Sequence, residues 1–162
     1  MKVERNLNLN TIVMKIVICG SIDFTPKIKE IAGLLTKNGH KVEIPFTSQR
    51  IINGELTLKN FKREKKENGD GAFRKSVLRK IKNDVIKDYY NKIKKADAIL
   101  VLNLKKRGIL NYIGGNVFLE IGFAHVLGKK IFFLNEIPEM IYTDELQAMQ
   151  PIILDGDLDK IK

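Results

Sequence analysis

Tryptophan is absent from the 162-residue chain, cysteine occurs once, at Cys19, and histidine twice, at His40 and His125. One cysteine excludes an internal disulfide and suits a reducing, cytoplasmic setting. Set in an apolar strand pattern, that thiol reads as buried and inert. No cluster of His, Cys and carboxylate stands at metal-ligand spacing, so neither a metal nor a cofactor is expected. Ser21 and Ser48 have no identifiable base beside them, which argues against a serine nucleophile. The GxGxxG fingerprint of dinucleotide binding is missing too. No apolar run approaches the roughly 20 residues that span a bilayer, and no charged-then-apolar leader opens the chain. Membrane attachment and secretion are therefore not expected.

Acidic residues are also in short supply: 29 Lys and Arg face 19 Asp and Glu, for a formal charge of +10. The excess is local. Across residues 59–82 ten basic residues face three acidic ones. Such a segment suits nucleic acid or a phosphorylated small molecule, or equally a solvated, lysine-rich surface. Only Phe61 and Phe73 interleave the basic residues, which weakens the case for stacking on single strands.

What is present is a soluble, one-domain composition, 44% hydrophobic and 30% charged. Residues 1–13 read as an N-terminal extension, and 14–162 as a single α/β nucleotide-binding domain with a basic insertion at about 46–72. Lys15-Ile16-Val17-Ile18-Cys19-Gly20 is a β-branched run of the kind found in buried parallel strands. A helix over 26–38 follows, with Pro26 in its first turn and Asn38-Gly39 as its cap. His40 then reads as a surface turn residue. Residues 42–44 make a second strand. Residues 47–71 are irregular, with Asn53-Gly54 and Asn68-Gly69-Asp70-Gly71 as turn signals, and read as a lid or a disordered insertion.

A helix over 73–95, a strand at 98–102, a helix at 116–127, a strand at 130–134, a short helix at 144–149 and a strand at 152–154 complete the pattern. Strands alternating with helices imply a doubly wound, five-stranded parallel sheet, flavodoxin- or Rossmann-like, in the order 2-1-3-4-5. Ligands in such sheets bind beyond the carboxyl ends of the strands, where the order switches. That rule selects the loops at 20–25, 45 onward and 103–116.

Two of these loops carry candidate chemistry. Gly20, Ser21, Ile22 and Asp23 leave the first strand, where glycine admits close approach and free amides can hold an anion; Ser21 or Thr25 capping the helix is the plainer alternative. Gly114 and Gly115 precede Asn116, a good helix cap, and Glu120 follows one turn later. Its neighbours Val117, Phe118, Leu119, Ile121 and Phe123 are apolar, so the helix reads as buried nearly all round. A carboxylate there needs hydrogen bonds or a cavity. Gly122 reads as a close helix–sheet contact. His125 lies about 140° round the helix from Glu120 and forms no obvious pair with it.

Three pieces of the chain carry a family resemblance: Ile18-Cys19-Gly20-Ser21-Ile22, Ile93-Lys94-Lys95-Ala96-Asp97-Ala98-Ile99-Leu100-Val101, and Val117-Phe118-Leu119-Glu120-Ile121-Gly122-Phe123-Ala124 followed by Leu127-Gly128-Lys129-Lys130. The chain resembles the nucleoside 2-deoxyribosyltransferase superfamily, including its deoxynucleoside-monophosphate N-glycosidase branch. The match runs from about residue 15 to 134 and leaves out the basic insertion.

The resemblance implies that Glu120 is the nucleophile. It would attack the anomeric carbon of a 2-deoxyribosyl group, a base would leave, and another base (in a transferase) or water (in a hydrolase) would take the sugar. Related proteins build sites at subunit contacts, which implies a homodimer. The family aspartate seven residues before the alanine of Ala96-Asp97 is replaced by Tyr89, with Asp88 one residue earlier, and a second family aspartate is replaced by Gly114. Either Asp88 or Tyr89 then supplies the proton, or the protein is a nucleotide-binding or sensing module without turnover. Asp97 reads as structural.

Overall fold

The computed structural model describes residues 12–67 and 77–162. Residues 1–11, the turn signals at 68–71, and Phe73 and Arg74 fall outside the described residues. Five strands form one sheet: β1 (Lys15–Gly20), β2 (Lys41–Glu43), β3 (Ala98–Leu102), β4 (Lys130–Phe133) and β5 (Ile152–Ile153). Their order is β2-β1-β3-β4-β5 and every pairing is parallel. This is the expected doubly wound α/β architecture. β1 and β3 are buried on both faces, which is why their sequences run apolar without alternation.

The two faces bury alternate residues, as the period of a strand requires. Ile16, Ile18, Leu100, Leu102 and Phe132 point to one side, against Ile28, Ile31 and Leu35 of helix α1 (Thr25–Lys37). Val17, Cys19, Ile99, Val101 and Phe133 point to the other. There they meet α4 (Val77–Lys94) through Tyr89 and Ile93, α5 (Gly115–Val126) through Val117, Ile121 and Ala124, and α6 (Thr143–Ala148) through Leu146.

Several local expectations are revised. Where residues 47–71 read as irregular, two helices stand, α2 (Phe46–Ile52) and α3 (Leu58–Glu67). α2 is tied down by a buried hydroxyl pair, Ser48 with Thr25 of α1 at 2.9 Å. α3 carries only Leu58 and Phe61 as apolar residues among its lysines, too few to mark it as a helix in the sequence. His40 is buried, because Met14, leading into β1, crosses it and donates its backbone N–H to Nδ1 at 3.3 Å. Burial holds the imidazole below its ordinary pKa and keeps it neutral. Asp97 does anchor a strand start, accepting the N–H of Lys15 at 2.7 Å.

α5 also differs. Gly114, not Asn116, is its N-cap, with no side-chain cap hydrogen bond. The helix is not buried all round, since Val126 is 84% and Leu119 46% exposed. Gly122 lies on that outward side, where an added Cβ would meet nothing within 4 Å, so it serves no helix–sheet contact. Among the described residues no helix is long and apolar enough to cross a membrane.

Candidate active site at the carboxyl edge of the sheet

The site begins with the end of β1. Ile18 and Cys19 are fully buried, and Gly20 turns the chain out of the sheet. A Cβ on Gly20 would stand 3.4 Å from that of Leu102 on the neighbouring strand, an ordinary contact. Glu120, in the second turn of α5, acts electrostatically on the buried Cys19 at the end of β1. Tyr89 of α4 is buried beside them and donates its hydroxyl to the carbonyl of Ile18. Cys19, Tyr89 and Glu120 thus lie beneath the loop that leaves β1.

Burial pushes the Glu120 carboxyl up to about 8, while the nearby Cys19 thiol acts in the opposite direction. Burial also pushes the Cys19 thiol up, and the charge of Glu120 adds to that. Tyr89 is raised by burial first and by the neighbouring Cys19 and Glu120 second. Asp88 is not part of this group. It lies on the exposed side of α4, in an i,i+4 ion pair with Lys92 at 3.5 Å.

A second cluster lies over the β1 loop. Ser21 caps the 3₁₀ turn Ile22–Phe24, its hydroxyl accepting the N–H of Asp23 at 3.4 Å. Thr25 instead donates its hydroxyl to the Ile22 carbonyl at 2.7 Å. Lys106 donates to the Ser21 hydroxyl at 2.7 Å and pairs with Asp23 at 2.7 Å. Lys62 of α3 approaches the other Asp23 oxygen at 2.5 Å. Partial burial raises the Asp23 carboxyl, but Lys106 and Lys62 outweigh it and hold the group below its usual value.

Lys106 owes its place to backbone geometry. It pairs with Ile109 around a two-residue turn, Arg107-Gly108, whose φ values are both positive, at 52° and 78°. That is the geometry of a tight hairpin turn, for which glycine suits the second position. The ammonium lies 5.4 Å from the centre of the Tyr112 ring, and that ring packs against Gly114. Gly115 and Asn116 are exposed in the first turn of α5.

Sequence reading missed Lys106, Lys62 and the buried Asn103. Asn103 donates to the carbonyls of Asn135 and Glu136 at 3.0 and 2.8 Å and accepts the N–H of Asn135 at 2.9 Å. Asn135 returns a bond to the Asn103 carbonyl at 3.0 Å. The available signal was an asparagine directly after each apolar strand, at Leu102-Asn103 and Leu134-Asn135.

No family model matches the sequence, and no curated protein matches it. The site is therefore read from its own chemistry. No three His, Cys, Asp or Glu side chains stand together as metal ligands among the described residues. What the arrangement offers is a shielded carboxyl group, able to attack as a carboxylate or hold a proton as the neutral acid. Over the loop that leaves the same strand, Ser21, Lys106 and Lys62 gather round the Asp23 carboxylate.

Proposed function

We propose that the protein cleaves N-glycosidic bonds of nucleosides or nucleotides, as a deoxyribosyltransferase or an N-glycoside hydrolase, with Glu120 as nucleophile. The observation that carries the reading is the Glu120 carboxyl, shielded at the carboxyl edge of a parallel sheet on a helix packed against the strand that feeds the Gly20-Ser21-Ile22-Asp23 loop. Ligands of open parallel sheets bind at this edge. A carboxylate stabilises the oxocarbenium-like state of a departing base and can bond to the anomeric carbon.

In this reading Tyr89, and not Asp88, protonates the leaving base, because Tyr89 is buried on the face covered by α5 whereas Asp88 is exposed and paired with Lys92. Its hydroxyl must leave the Ile18 carbonyl to do so. Ser21 and Lys106 would hold an acidic substituent, which favours nucleotides over free nucleosides. A homodimer belongs to the same reading.

The test is release of free base from the four deoxynucleoside monophosphates, followed chromatographically. Wild type should release base from at least one, and Glu120→Gln should lose roughly a thousandfold or more in kcat. The lost anchors Tyr89 and Gly114, where the resembled family carries aspartates, favour a second reading: a nucleotide-binding sensor without turnover. That reading predicts thermal stabilisation by a nucleotide that is recovered intact.

A further inference from the structure

Two lysines from separate parts of the chain converge on one carboxylate over the loop that leaves β1. Lys106, on the loop after β3, stands 2.7 Å from Asp23 Oδ2 and donates to the Ser21 hydroxyl at 2.7 Å. Lys62, on α3, stands 2.5 Å from Asp23 Oδ1. That oxygen is shut off from solvent, yet no hydrogen bond is aligned on it among the described residues, so its pair with Lys62 is charge without direction. The Lys106 side chain is 19% exposed and set by its hairpin turn, whereas that of Lys62 is 56% exposed. One ammonium is fixed and the other is free to swing.

The cluster stands where an open parallel sheet receives its ligand. The strand order switches between β1 and β3, and Asp23 and Lys106 lie on the loops that follow those two strands. Two ammonium groups and a hydroxyl around one oxyanion are the donor set of a phosphate site. Here the oxyanion is a side chain of the protein itself.

We propose that Asp23 fills an anion subsite of the free protein, and that the phosphate of a nucleotide displaces it from Lys62 and Lys106. The proposal deepens the proposed function and rests on it for the nucleotide as ligand. A phosphate dianion carries more charge than a carboxylate and a third acceptor oxygen, so it can engage both ammonium groups and the Ser21 hydroxyl. A neutral sugar hydroxyl cannot compete with these charge-assisted contacts. Asp23 stays charged in the free protein, because the two lysines outweigh its partial burial and hold its carboxyl below the usual value. It is thus a specificity-determining residue, which turns away uncharged nucleosides. The rival role is a brace that holds the two lysines together for the ligand, and it predicts the opposite sign.

Isothermal titration of the full-length protein with inorganic phosphate separates the two. Asp23→Asn and Asp23→Ala should each bind phosphate roughly tenfold more tightly than wild type, since the competing like charge is gone. If both bind it no better than wild type, or more weakly, the proposal falls. Adding Lys106→Met to Asp23→Asn should abolish the gain; a gain that survives without the lysine comes from repulsion alone and also overturns it. In a Glu120→Gln background, which keeps nucleotides intact, the four deoxynucleoside monophosphates should repeat the gain while the deoxynucleosides change by less than about twofold. An equal gain for both would show that Asp23 does not read the phosphate. Tighter phosphate binding in a protein that releases no base sustains the subsite and sinks the N-glycosidic reading instead.

Discussion

A carboxyl group set among Val117, Ile121 and Ala124 loses much of its hydration, and the energy appears as a preference for the protonated form. For Glu120 the folded value is about 8 against an ordinary 4.5. The folded chain therefore keeps a proton that the unfolded chain releases, and the resulting stability is fully present below about pH 4.5 and is lost as pH rises through about 8. Wild type should lose stability relative to Glu120→Gln across that window, at no more than ~1.4 kcal/mol per pH unit. Urea midpoints of the two proteins measured between pH 4.5 and 9 check this, and parallel curves would mean that the carboxyl is not shielded. The same ionisation governs the chemistry: kcat/KM of the proposed reaction should rise toward pH 8, because only the carboxylate attacks. Glu120 was legible in the sequence because a single charge interrupts an apolar run. Its electrostatic tie to Cys19 was not, since nothing in either segment's local pattern sets the phase of α5 against β1. His40 misled for a related reason: after Asn38-Gly39 it looks like a turn residue, and only the crossing of Met14 buries it.

At the scale of elements, the loops after β3 and β4 are held by reciprocal hydrogen bonds between Asn103 and Asn135, which fix the edge where Lys106 and the start of α5 must stand. Asn103→Ala would leave the Asn135 N–H and two carbonyls without their partner inside the protein, at a cost of about 2–3 kcal/mol. The expected result is a lower urea midpoint with an unchanged denaturant slope; a loss below about 0.5 kcal/mol would show that water replaces the asparagine without penalty. The strands β1, β3 and β4 were readable because each is a short apolar run closed by Gly or Asn, and their alternation with helices gave the order of the sheet. α2 and α3 were not, because Asn53-Gly54 divides them and α3 carries only Leu58 and Phe61 as apolar residues. The phase of α5 was also hidden. A helix apolar on both sides gives no moment to show which face meets the sheet, so Gly122 was assigned inward when it faces out.

For the whole molecule the question is what an outward apolar face does on a chain of charge +10. Leu119, Gly122, Phe123 and Val126 form one stripe of α5 at helical spacing, and with Tyr90 and Met149 they line a groove of about 550 Å³. Among the described residues Glu145 is the single charged one in its lining. Two copies of a strongly basic chain repel over most of their surface, and a contact through this face would not add to that repulsion. Gly122 leaves room for a ridge from a second helix, and the same stripe offers Leu119 and Val126 as such a ridge, which a two-fold contact would require. Such a dimer would seat the interface on the helix that carries Glu120. Light scattering coupled to size exclusion should give wild type the mass of two chains. Val126→Glu should give one, because a charge buried in the contact has no partner there. Since Val126 is 84% exposed within one chain, the substitution should change the stability of that chain by less than about 0.5 kcal/mol, so loss of the dimer would not reflect unfolding. A monomeric wild type at concentrations of tens of micromolar would exclude this face as a stable self-contact, because an interface of ordinary size, about 800 Å² per partner, holds at that concentration when well packed.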